Sequence, residues 1–196
     1  MKKLIFILLL IPSIIWGASF NGSANFATGR VEVFLCTTLA DSETATGNGA
    51  KEGFKFGTQD WWGSPFTATS NYTLCSVEVD MARTATPASY NMTAHIFLDD
   101  GGDDITGSSL GNSDSIPASA TSTTWGFITF PNMSVSITSG TRYWIMITSD
   151  GVDGTNTVSI RTTDLGVAGR IHYDDNGVPP TTVSDATKGT RYKTYE

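Results

Sequence analysis

Every second residue is apolar in a series of short stretches along this chain, and clusters of Gly, Asp, Asn and Ser separate them. In residues 73–81, Cys75, Val77, Val79 and Met81 fall on one side, and Ser76, Glu78 and Asp80 on the other. In residues 90–98 the apolar set is Tyr90, Met92, Ala94, Ile96 and Leu98, opposite Asn91, Thr93 and His95. A period of two is the signature of strands that lay one face on a core. Further strands are expected at 30–38, 53–56, 125–130, 133–137, 142–148, 157–161, 169–173 and 190–195, with turns at Asp99-Asp100-Gly101-Gly102, Ser149-Asp150-Gly151 and Asp174-Asp175-Asn176-Gly177. After the leader, no window repeats its apolar residues at helical spacing. The expected fold is therefore all-β, a two-layer antiparallel sandwich of jelly-roll type.

Composition agrees. Twenty glycines and only 16% charged residues suit a turn-rich β chain, and 11% aromatics supply core area. A net charge of −7 speaks against nucleic acid as a partner.

Residues 1–18 read as an address. Lys2 and Lys3 precede an apolar run broken only by Pro12 and Ser13, and Gly17, Ala18 and Ser19 follow. That is the layout of a secretory signal peptide, shorter than the roughly 20 residues of a spanning helix. The expected protein is bacterial, secreted to the periplasm or exterior, and free of the membrane after cleavage. Residues 19–52 then carry an N-terminal strand and a loop over 41–51, and 53–196 the sandwich, with 19–196 expected as one compact domain. In an oxidising compartment, Cys36 and Cys75 form a disulfide; the alternative is two buried thiols.

The order of aromatic strands in the second half carries a resemblance. Ser64-Pro65-Phe66-Thr67-Ala68 is followed by Tyr72-Thr73-Leu74-Cys75-Ser76-Val77 and Trp125-Gly126-Phe127-Ile128-Thr129-Phe130. Ser139-Gly140-Thr141-Arg142-Tyr143-Trp144-Ile145 and Arg191-Tyr192-Lys193-Thr194-Tyr195 complete the series. From about residue 53 the chain resembles the choice-of-anchor β-sandwich modules of bacterial exported proteins, most closely the R type. The resemblance implies a jelly-roll-like module outside the cytoplasm and brings no catalytic residues with it. The sequence stops at Glu196 directly after the last strand, so release or assembly with a partner is expected rather than surface attachment.

Catalytic constellations are sparse. His95 and His172 have no nucleophile elbow to serve, and the two histidines and two cysteines lack zinc-ligand spacing. Glu32 and Glu78 sit on expected strands but alternate with apolar residues as solvated carboxylates do, which makes them poor general acids. No catalytic residue is expected. The loop with Asp99, Asp100, Asp103 and Asp104 has oxygen ligands suited to a structural calcium ion, though without EF-hand spacing, and a solvated turn is the other reading. No other cofactor is expected.

Trp61 and Trp62 are the candidate recognition residues. Neighbours in an extended segment point to opposite faces, so one enters the core and the other stays outside. An exposed indole can stack on a sugar ring or on another chain. The leading expectation is thus a non-catalytic secreted module that recognises carbohydrate or an exported protein. The alternatives are a subunit of an extracellular assembly, whose N-terminal strand completes a neighbour's sheet, and a polysaccharide hydrolase.

Overall fold

The computed structural model describes residues 36–44, 51–53, 61–84, 89–101, 105–151, 157–164, 171–172, 183–185 and 188–196. Its strands are β1 (Leu39–Glu43), β2 (Lys51–Gly53), β3 (Trp61–Thr67), β4 (Tyr72–Leu74), β5 (Ser76–Arg83), β6 (Asn91–Asp99), β7 (Ile105–Asn112) and β8 (Ile116–Pro117). They continue with β9 (Gly126–Phe130), β10 (Val135–Ile137), β11 (Arg142–Ser149), β12 (Val158–Asp164), β13 (Ile171–His172), β14 (Val183–Asp185), β15 (Lys188–Thr190) and β16 (Tyr192–Tyr195). Among the described residues there is no α-helix, and none long and apolar enough to cross a membrane.

Two antiparallel sheets pack face to face. Sheet I is built around β5, which pairs with β9 along one edge and with β16 and then β12 along the other; β1 extends β16, and β2 and β15 flank β12. Sheet II runs β14-β13-β3-β11-β6-β7, with β8 on β6. The all-β sandwich expected from the alternation is the observed architecture. Between the layers, Val77, Val79, Met81 and Ile160 of sheet I meet Trp62, Ala94, Ile96, Ile145 and Ile147 of sheet II, all nearly excluded from solvent. Each large aliphatic or aromatic side chain so buried contributes about 1.5–3 kcal/mol.

Three expectations need correction. The loop placed over 41–51 begins instead as strand: Asp41 lies in β1, buried. Its carboxylate accepts hydrogen bonds from the Thr69 amide (3.1 Å), the Thr69 hydroxyl (2.6 Å) and the Tyr72 hydroxyl (2.9 Å), while its own amide donates to Thr194 Oγ1 (2.9 Å). Burial first of all, then the nearby carboxylate, pushes the Tyr72 pKa up, so the phenol stays a donor. These long-range bonds override the poor strand propensity of Leu-Ala-Asp-Ser-Glu. The strand expected at 30–38 lies outside the described residues up to 35, and Cys36 to Thr38 are not strand; Thr38 and Glu196 exchange backbone hydrogen bonds.

Second, the single strand over 73–81 is two. The chain bends at Cys75, whose amide donates to the Tyr195 carbonyl and whose carbonyl accepts from the Met133 amide. Leu74 and Val77 both reach the core, so the facing phase slips by one at the bend. Third, β7 arises where alternation was not legible, and β3 is expected only through the aromatic strand ending at Ser64-Pro65-Phe66-Thr67-Ala68. β3 holds Gly63 and Pro65, and β7 reads Ile-Thr-Gly-Ser-Ser-Leu-Gly-Asn. Among the described residues β13 pairs with β3 at His172–Gly63.

Candidate recognition surface

β3 separates the two adjacent tryptophans. Trp62 points inward, into the core, and is 3% exposed. Trp61 lies on the outward face of sheet II and is half-buried. Its ring centre stands 4.9 Å from that of His95, tilted, and 5.9 Å from that of Phe97, edge-on. Beneath it Phe97, Trp144 and Met146 form a second apolar cluster that includes Ile105. This cluster follows from alternation carried to its end. Phe97 on β6 and Trp144 and Met146 on β11 are the outward residues of strands whose inward residues fill the main core. Gly63 lets the strands close up under the platform: a Cβ there would lie 1.9 Å from the Ile145 carbonyl oxygen and 2.5 Å from Met146 Sδ.

One end of this face is charged, but its charges are engaged. Asp99 accepts from Trp144 Nε1 (2.8 Å) and from the Gly101 amide (2.8 Å), with Arg142 Nε at 3.7 Å. Both oxygens of the carboxylate thus serve the sheet and the turn, which counts against its use as a calcium ligand. Asp100 is also described; Asp103 and Asp104 lie outside the described residues. Among the described residues no three metal-binding side chains converge.

The other end is rich in hydrogen-bonding groups that are uncharged next to Trp61, with the exposed Asp150 carboxylate at its margin, where it accepts from the Asn91 amide (2.7 Å) and side-chain nitrogen (2.8 Å). His95 Nδ1 is 2.7 Å from Asn112 Oδ1 and Nε2 is 2.9 Å from Thr148 Oγ1. The amide oxygen can only accept, so Nδ1 carries the proton and Nε2 faces the threonine hydroxyl as acceptor. Burial lowers the His95 pKa against the opposing effect of the Asn112 bond, and the ring is neutral at pH 7. Ser109 Oγ donates to the same Asn112 oxygen (2.7 Å), and the Thr93 carbonyl, at 3.4 Å, is a longer, competing acceptor for the one Thr148 hydroxyl proton.

Hydroxyl, imidazole and amide in that order resemble a nucleophile, its base and the group that orients the base. β11 is paired on both sides around Thr148, with β3 and with β6, so its backbone N–H groups belong to the ladders. Acyl transfer needs donors preorganised around the developing oxyanion. Trp61 packing on His95 restrains the imidazole further.

Sheet I presents a different outward face. Glu78, expected as a solvated carboxylate, and Asp80, on the same face of β5, are both tied into the sheet. Glu78 accepts from Lys193 Nζ (2.9 Å), the Tyr195 hydroxyl (2.9 Å) and the Thr129 hydroxyl (3.3 Å). Asp80 is buried and ion-pairs with Arg191, while Arg161 stands 3.6 Å from the same oxygen. The cause is register. Asp80 sits where the partner of β5 changes from β16 to β12, and the Arg191 carbonyl accepts its amide proton there. The cations also lie over aromatic rings of the opposite edge: Arg161 over Trp125 (4.9 Å), Arg191 over Phe127 (5.4 Å) and Lys193 over Phe127 (4.0 Å). Sequence reasoning missed this row. The signal was present in Trp125-Gly126-Phe127-Ile128, where Ile128 and Phe130 turn to the core and Trp125 and Phe127 turn out.

Cys36 and Cys75 are joined by a disulfide with a Cα–Cα distance of 5.8 Å, tying the segment that precedes β1 to the bend between β4 and β5. Glu32 lies outside the described residues, and the His172 backbone pairs with Gly63. No known family's sequence model matches this chain, and no curated protein matches it.

Proposed function

We propose that the protein is an exported, non-catalytic recognition module that holds a neutral saccharide on the outward face of sheet II. The observation that carries this reading is Trp61. It is a half-buried indole on a sheet face, braced by His95 and Phe97, with the exposed Asn112 and the partly buried Thr93, Ser109 and Thr148 beside it. A pyranose offers an apolar C–H face for the indole and hydroxyls for a rim that both donates and accepts. Side chains already fixed by their own hydrogen bonds lose little entropy on binding. The neutral rim favours a neutral sugar over a charged one. The signal-like leader and the resemblance to choice-of-anchor sandwiches support a place outside the cytoplasm.

The test is calorimetric titration with neutral oligosaccharides, using the wild-type chain and Trp61→Ala. Binding should weaken at least tenfold in the variant, about 1.4 kcal/mol or more, with its melting temperature nearly unchanged. Equal affinity in the two proteins would remove Trp61 from the account.

A further inference from the structure

Arg161 is the cation on the outward face of sheet I whose binding capacity is least used. Its ion pair is a 3.6 Å approach to an Asp80 oxygen that Arg191 already holds, and its side chain is 36% exposed. The guanidinium lies over the Trp125 ring. Stacking on a ring uses the flat face of the group and leaves its N–H edges free to grip a planar or tetrahedral oxyanion with two parallel bonds. The surrounding balance also favours an anion: among the described residues the ion partners of Arg161, Arg191 and Lys193 are Glu78 and Asp80, three cations against two carboxylates.

We propose that this face is a second binding site, which takes the acid group of an acidic saccharide: a carboxylate or sulfate ester fixed to a sugar ring. Arg161 supplies the fork, Trp125 holds it in place, and Lys193 adds positive potential. A saccharide is favoured over an acidic peptide because Trp125 and Phe127, both partly exposed, stand two residues apart at one edge of sheet I, about 7 Å along the strand direction. The parts of these rings that the cations leave uncovered are where the apolar face of a sugar would lie beside its own acid group. The site is separate from the Trp61 platform, on the opposite sheet, and stands whether or not that platform binds sugar.

The experiment is titration of the protein with oligogalacturonate and with a sulfated glucan of equal length, each at low and at moderate salt. The two ligands distinguish carboxylate from sulfate as the acid recognised. At least one should bind, with affinity falling as salt rises. Arg161→Ala should lower that affinity tenfold or more, and Arg161→Lys several-fold, since a point charge cannot reproduce the fork. Trp125→Ala should give a smaller loss, and Trp61→Ala none. Arg161→Gln, with circular dichroism and thermal melts on every variant, separates lost binding from lost folding. Absence of binding to both ligands, an unchanged affinity in folded Arg161→Gln, or equally tight binding of poly-glutamate would overturn the proposal.

Discussion

The two outward faces of the sandwich are built from the same alternation and reach opposite solutions. On sheet II three outward residues of β6 and β11, Phe97, Trp144 and Met146, pack into an apolar cluster capped in part by Trp61. On sheet I the outward residues are carboxylates and cations, drawn together across β5 and laid over Trp125 and Phe127. An aromatic ring is present on both faces, but its partner differs: a neutral imidazole beside Trp61, a guanidinium over Trp125. That partner decides what each ring offers a ligand, a polar neutral rim in one case and an anion-binding fork in the other. Aromatic content alone therefore says little about recognition; the group stacked on the ring says more.

The contrast should break first at Asp80. Replacing it with Ala leaves Arg191 buried without its carboxylate, and loss of one partner from a buried pair costs about 3–5 kcal/mol. Urea denaturation should show that drop, whereas the same change at Asp99, which supports the other face, is expected to cost less because Arg142 remains partly exposed. Trp144→Ala is the counterpart on sheet II. Removing a fully buried indole should cost about 3–5 kcal/mol, against well under that for Trp61→Ala, so that stability and binding separate between two rings of one face.

Reduction of the Cys36–Cys75 bridge comes next, at roughly 3–4 kcal/mol in the chain-entropy account for a sequence separation of 39. It should lower the melting temperature without touching either ring. The smallest effect is pH-dependent. The folded His95 pKa lies below its unfolded value of 6.5, so the unfolded chain takes up the proton first as pH falls. Stability from this group is complete above about 6.5 and declines as pH drops toward the folded pKa. In His95→Gln that part of the pH dependence should vanish, and the charged face of sheet I should not notice.

Much of the fold was legible, and for a simple reason. Strands such as β6 and β11 alternate cleanly because one face must enter a core. Tyr143, Ile145 and Ile147 against Trp144 and Met146 could be sorted from sequence alone, although not which set would face the main core. β1 and β7 were illegible because their residues are poor strand formers, held by partners distant in sequence such as Thr194 and Tyr72 for Asp41. Adjacency in Trp61-Trp62 fixed that one ring would be buried and one not, without saying which. The row on sheet I stayed hidden because an ion pair across β5 depends on register, and residues as far apart as Asp80 and Arg191 meet only once that register is set.

The most direct measurement is a heteronuclear NMR titration that follows the indole N–H signals of the protein as a neutral oligosaccharide is added. The Trp61 signal should move with ligand while those of Trp62, Trp144 and Trp125 stay in place. A shift confined to Trp125, or saturation with no change at Trp61, would contradict the assignment of neutral-sugar recognition to the outward face of sheet II.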